Sequence, residues 1–194
     1  MSLRLIICDL EATCWDSVEQ TQSIDQMEII EIGAVYVDQS GGVLDRFQCF
    51  IRPDKNPVLS DFCTRLTGIA QCDVDRAPGF RQATQNFDAW LASHSWDAWA
   101  SWGNYDRKQF SVEYQRHGVA PSLLQQPHIN LKRPWRKTTR HRKQALRAAL
   151  DFHGYQFEGS PHRALDDAIN IARLLPHIDT QLLYAELKDG QHAV

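Results

Sequence analysis

Two carboxylates one residue apart, Asp9 and Glu11, close the first apolar run of the chain, Leu3 to Leu10. In a strand, side chains repeat every second residue, so both acids share a face while Leu10 points to the opposite layer. Such a pair repels itself unless a cation lies between its members, and Mg²⁺ or Mn²⁺ suits it, since hard divalent ions prefer oxygen ligands. Alone the pair is a weak signal, because acid-x-acid triplets also mark solvated strands and turns. A hydrolytic cation site needs further oxygen ligands from other elements. Asp106 follows an aromatic segment, at the kind of strand end where α/β sheets place their sites. The alternative for Asp106 is a helix N-terminal acid favoured by the dipole. Ser160 to Ala168 sets His162 beside Asp166 and Asp167 at a helix start. A neutral histidine can take a proton from water near pH 7, and an aspartate about a turn away can hold a cation. Spacing leaves both aspartates open, Asp166 being the i+4 neighbour of His162 and Asp167 the next residue.

The elements that must position these groups are legible from local pattern. Leu3 to Asp9 reads as a strand, and Glu28 to Val37, dense in β-branched residues, as a second. Asp38 to Gly42 supplies turn chemistry, so Val43 to Ile51 returns as a hairpin partner, antiparallel throughout if the first strand pairs with the second. Ser60 and Asp61 cap a short helix that stops at Gly68, and Gly79 to Ser93 carries one apolar face. Trp96 to Trp102 reads as a strand, Arg107 to His117 as a helix and His128 to Leu131 as a short strand. Thr139 is expected to cap a basic helix reaching about His153, and Arg163 to Leu175 is the next helix. Three strands followed by alternating helices and strands predict a mixed α/β sheet with helices on both faces. Residues 1–194 read as one domain, with a core of about 3–178 and a C-terminal helical tail.

The 194 residues, 43% apolar and 23% charged, suffice for one sizeable core. Five cysteines without a C-x-x-C pair indicate neither a disulfide framework nor a zinc knuckle, which points to a reducing cytoplasm. No apolar stretch has membrane-spanning length, and no secretory signal is recognisable, so no membrane partner is expected. The net charge of −3 argues against a polyanion partner, but its distribution argues for one. Lys132, Arg133, Arg136, Lys137, Arg140, Arg142, Lys143 and Arg147 form a run without an acid, either a phosphate-facing segment or a solvated basic face. Trp90, Trp96, Trp99 and Trp102 are read as core or strand residues. His117, His128, His153 and His177 have no second partner at ligand spacing and are read as surface or satisfied residues. Glu28 and Glu31 either brace the site or face solvent.

Asp9-Leu-Glu11-Ala-Thr-Cys14, Asp106 after a strand, and His162 followed five positions later by Asp167 resemble, in order, the DEDDh 3′→5′ exonuclease superfamily with its DnaQ-like, ribonuclease-H-like fold. Leu59 to Cys63, Leu66 to Ile69, Arg52-Pro53 and Leu165 to Ala172 look like its 3′ histone-mRNA exonuclease and enhanced-RNAi branch. The resemblance implies that Asp9, Glu11, Asp106 and Asp167 hold two divalent metal ions, Mg²⁺ or Mn²⁺, with His162 as general base. It favours Asp167 over Asp166 as the ligand. It also implies base stacking by Phe62 and Tyr105, where relatives can carry tryptophan at the latter, and backbone contacts at Ala12 and Thr13. The expected reaction releases nucleoside 5′-monophosphates from single-stranded 3′ ends, RNA favoured. A DNA exonuclease with the same residues and a non-catalytic nucleic-acid-binding module are the rivals.

Overall fold

The computed structural model describes residues 3–16, 23–142 and 145–191, with side chains to residue 188. No helix among them is long and apolar enough to cross a membrane. Arg4–Ala12 (β1) is the central strand of a five-stranded sheet in the order β3-β2-β1-β4-β5. Ile29–Asp38 (β2) and Val43–Phe50 (β3) pair antiparallel, β2 against β1 and β3 against β2, as the hairpin pattern predicts. The turn closes on Asp38, whose Oδ1 accepts from the Ser40 amide at 2.9 Å and the Gly42 amide at 3.1 Å. Ala98–Ser101 (β4) and His128–Asn130 (β5) extend the sheet in parallel, β4 beside β1.

β1 is apolar on both faces because both are covered. Leu5 and Ile7, with Val35 and Val37 of β2, pack against Ala164–Ala172 (α7), Leu146–Phe152 (α6) and Trp135 of Lys132–Thr139 (α5). Ile6, Cys8 and Leu10 pack against Phe80–Ala92 (α3) and against Phe110 of Tyr105–His117 (α4). Leu5, Ile6 and Ile7 have no exposed surface. At about 1.5–3 kcal/mol for each such side chain, their burial offsets the roughly 3 kcal/mol that one carboxylate pair costs near 5 Å at an effective dielectric of about 20. The strand can therefore end in acids and still fold.

Asp61–Thr67 (α1) begins at the expected cap, with Ser60 Oγ accepting from the Cys63 amide at 3.0 Å, and ends at Gly68 with φ 68°. Gln71–Asp75 (α2) is too short to show a period and was not expected. α4 starts at Tyr105, two residues before the predicted Arg107, so Asp106 lies inside its first turn.

Of the basic helix expected from Thr139 to His153 only α6, Leu146–Phe152, forms, and α5 before it was not expected. α5 tolerates Pro134 because an N–H in the first turn would have no intrahelical acceptor, so its loss costs no hydrogen bond. It stops at Arg140, which has φ 56° and donates its N–H to the Arg136 carbonyl at 2.8 Å. Thr139 closes α5, its hydroxyl donating to the Trp135 carbonyl at 3.0 Å. The buried Trp135 indole anchors α5 to the core, an interaction that local propensity does not reveal. Thr180–Gln191 (α8) packs along β5 and α5, with Leu183 in the core.

Candidate functional site

Asp9 stands opposite Gly33 and Glu11 opposite Glu31 in the antiparallel register, so the four share one sheet face. A register shift after Glu11 bends the strand away at Ala12. α7 enters this face at its first turn. A Cβ on Gly33 would lie 2.1 Å from the Ala164 carbonyl carbon and 2.1 Å from the Leu165 nitrogen, so only glycine admits the helix there. Glu31, fully buried, holds the same end. It accepts from Arg163 Nε and Nη2, each at 3.2 Å, and from the Ala164 amide at 3.1 Å. Asp167 is thereby brought to the acid pair: ligand oxygens of Asp9, Glu11 and Asp167 lie within 4.8 Å of one another. Asp166 turns away and accepts from the Ser160 amide at 2.8 Å.

Asp106 stands apart from that trio but shares its cleft. Burial pushes its carboxyl up to about 6, against the pull of its own amide, the Ser101 hydroxyl, the Leu10 amide and the Lys132 ammonium. Ser101 Oγ lies 2.9 Å from Nε2 of His128, which burial and the Arg107 and Arg133 charges hold down at about 3, so this histidine is a neutral, satisfied group.

Removal from water pushes Asp9 well above its usual range, and Asp106, Asp167 and Glu11 raise it further. Desolvation, then Asp167 and Glu31, push Glu11 up to about 9. Asp167 rises to about 7 through burial and the Asp166 and Asp106 charges, although the His162 amide opposes this. Acids gathered this way, with the Lys132 ammonium acting on Asp106, are a donor set that fits hard divalent cations.

The cleft, about 330 Å³, is walled by apolar groups: Met27, Leu66 and Tyr105 among them, with Trp102 and Leu146. A larger cavity of about 590 Å³, beside Arg107 and Lys108 on another face of α4, contains none of the four acids, so the chemistry belongs to the smaller one. Of the predicted substrate contacts, Ala12 and Tyr105 line the cleft, and the Tyr105 hydroxyl donates to Met27 Sδ at 3.8 Å. Phe62 packs against the cluster of Cys14, Ile30 and Cys63, and Leu66, one turn further along α1, reaches the cleft instead. The Thr13 amide donates to the Glu28 carbonyl at 2.8 Å, and its hydroxyl accepts from the Glu28 amide at 2.9 Å. Glu28 is buried and braces the loop beyond β3. Burial raises its carboxyl, yet the amides of Lys55, Asp54 and Asn56 hold it below its ordinary value. Sequence reasoning did not single out Gly33, Arg163, Leu66 or Met27. A glycine inside a β-branched strand was an available signal of close backbone approach.

His162 is exposed at the cleft with φ 63°, in the left-handed region that few non-glycine residues adopt, histidine more often than most. Its backbone N–H donates to Asp167 Oδ2 at 2.9 Å, which ties this residue to the acid trio. Strain of about 1 kcal/mol at this residue gives a test. His162→Gly is expected to exceed His162→Ala in thermal stability by about 1 kcal/mol, while both lose turnover alike. Equal or lower stability of the glycine variant would contradict a strained backbone.

The chain matches the RNase_T exonuclease family over residues 6–175. It is 30% identical over 200 residues to 3′-5′ exonuclease eri1 of Schizosaccharomyces pombe, covering 88% of this chain and 66% of that protein. It is 31% identical over 193 residues to ERI1 exoribonuclease 2 of Xenopus laevis, covering 88% of this chain and 27% of that one. The chain thus spans only part of the length of these relatives. The nuclease domain of 3′hExo, a DEDDh family member solved bound to rAMP, superposes with a TM-score of 0.79 at 28% identity, covering 97% of this chain and 94% of that one. With its ordered acids and histidine on one cleft, the chain belongs to the exonuclease family, in the DEDDh branch that includes ERI1 and 3′hExo.

Proposed function

We propose that the chain is a metal-dependent 3′→5′ exonuclease that releases nucleoside 5′-monophosphates from single-stranded 3′ ends, with RNA preferred to DNA. The observation that carries this is the convergence of Asp9, Glu11 and Asp167 within 4.8 Å, beside Asp106 and His162. Asp9, Glu11, Asp106 and Asp167 would hold two divalent ions, Mg²⁺ or Mn²⁺. Asp9 feels the charges of both Asp106 and Asp167, which suits a ligand shared between two positions. Bound ions would supply Lewis-acid activation of the attacking water and neutralise charge on the phosphodiester and the departing 3′ oxygen. His162 takes the proton from that water. Tyr105, Leu66 and Met27 present the apolar surface on which a terminal base can rest, an interaction that reads no sequence. The preference for RNA is supported by the exoribonuclease relatives and by the rAMP bound to 3′hExo. Residues 1–194 act as one exonuclease domain, to whose core α8 contributes Leu183. Five free cysteines support residence in a reducing cytoplasm.

The test uses 5′-labelled RNA and DNA oligomers of one sequence with Mg²⁺ or Mn²⁺. A ladder of single-nucleotide losses from RNA is expected, with slower loss from DNA. Asp106→Asn should lower kcat about 10³-fold or more. Because its carboxyl is already raised to about 6, the isosteric amide leaves the fold intact, which a thermal melt checks. Undiminished cleavage by a folded Asp106→Asn protein would remove Asp106 from the mechanism, and binding without any turnover by the parent would favour a non-catalytic module.

A further inference from the structure

The basic run from Lys132 to Arg147 borders the cleft at both ends. Lys132, at the start of α5, acts on Asp106, and its Nζ stands 3.7 Å from where a Cβ on Gly103 would lie. At the other end Leu146 lines the cleft, and Arg147 faces Gly159 and Pro161 in the loop that carries His162. Between them Glu186 of α8 pairs with the run, at 3.7 Å from Arg133 and 3.1 Å from Lys137, and among the described residues no other acid forms an ion pair with it. Arg136, Arg140, Arg142 and Arg147 are exposed and form no ion pair among the described residues, while Lys143 lies outside them. Another border of the cleft has the other sign: α1, whose Leu66 lines it, and the following α2 carry Asp61, Asp73 and Asp75 against Arg65.

We propose that the α5–α6 wall is a phosphate track for the nucleic-acid strand upstream of the scissile end, with Arg136, Arg140 and Arg142 as its contacts. The inference rests on the nuclease reading for the 3′ end in the cleft. A strand seated with its end among four carboxylates must leave the cleft, and phosphates leaving over α1 and α2 would meet further carboxylates. Over α5 and α6 they meet unpaired guanidinium groups, which can bind phosphate oxygens in pairs. The segment thus offsets the repulsion between an acidic site and a polyanionic substrate, and the grip grows with chain length rather than with base identity.

Binding is read apart from turnover, by fluorescence anisotropy of labelled RNA on the full chain carrying Asp106→Asn. The variant adds Arg136→Gln, Arg140→Asn and Arg142→Gln, asparagine being chosen because φ is 56° at Arg140 and that residue tolerates the left-handed region. Each single-strand phosphate contact contributes about 0.7 to the slope of log K against log salt, so three lost contacts reduce it by about 2. Over the decade from about 1 M to 0.1 M salt this is about 100-fold weaker binding of an unstructured oligomer of about 20 nucleotides. A labelled trinucleotide, too short to leave the cleft, should bind unchanged, which also shows that the variant is folded. Arg65→Gln on the other wall should alter neither probe. An unchanged salt slope for the long oligomer, an equal loss from Arg65→Gln, or no binding of the long oligomer by the parent would overturn the track. Binding with the expected slope by the Asp106→Asn chain, together with a wild-type chain that never shortens RNA, would overturn the nuclease reading and leave the track standing.

Discussion

Metal-free protein is expected to lose stability as pH rises from about 4 to 9, and to regain it when Mg²⁺ or Mn²⁺ is added. Glu11 is held near 9, Asp167 near 7, Asp106 near 6 and Asp9 well above its usual range, each first by its removal from water. The folded chain therefore keeps protons that the unfolded chain has released. For an acid with a raised pKa, the stabilisation is fully present below the unfolded value and is lost as pH passes through the folded one. Each retained proton changes stability by about 1.4 kcal/mol per pH unit. A discounted total of about 3–5 kcal/mol between pH 5 and 8 corresponds to a fall in Tm of about 10 °C for a chain of this size. A cation at about 100 times its Kd returns about 2.7 kcal/mol, and more of its effect appears at high pH, where the carboxylates need not release protons to bind it. Thermal melts across pH, with and without the ion, measure both effects. A flat pH profile that ignores divalent cations would mean that the acids do not form a cation site. Asp9→Asn should flatten the profile, because it removes the charge on which Asp106, Asp167 and Glu11 all act.

Gly33→Ala should cost both fold stability and turnover. The added Cβ would sit 2.1 Å from two backbone atoms of α7, which cannot yield as a flexible side chain can. Overpacking of this kind costs about 1–3 kcal/mol, or several degrees in Tm. The larger effect is on chemistry, because α7 carries Asp167 and the preceding loop carries His162. A displacement of about 1 Å can lower turnover 100-fold. The variant should also respond more weakly to divalent cations, since Asp167 moves away from Asp9 and Glu11. Wild-type kcat and Tm in Gly33→Ala would mean that the contact is slack and that α7 is positioned by other contacts. Glu31→Gln would then be the informative change, since Arg163 and the Ala164 amide both depend on its charge.

Much of the scaffold was legible in sequence because its causes are local. The hairpin between β2 and β3 follows from β-branched runs around Asp38 to Gly42, and α1 follows from Ser60 at one end and Gly68 at the other. Helix α5 and its stop at Arg140 were not legible. Trp135 anchors this helix in the core, and a basic sequence interrupted by Pro134 gives no local sign of that contact. The choice between Asp166 and Asp167 was likewise beyond spacing. It is made by Glu31 gripping Arg163 from 132 residues away.

What the sequence determined by itself was the inventory and its order: an acid pair at the end of a central strand, a third acid after a later strand, and a histidine and aspartate at the start of a late helix. Period, turn and cap chemistry depend on neighbouring residues, so they can be read along the chain. Tertiary structure decided which acids converge, that Asp106 stands beside the trio rather than within it, and that Leu66 rather than Phe62 faces the cleft. It also decided that the basic run flanks the site. These outcomes rest on contacts between segments far apart in sequence, above all the absent side chain at Gly33, and no local pattern encodes the distance between two such segments.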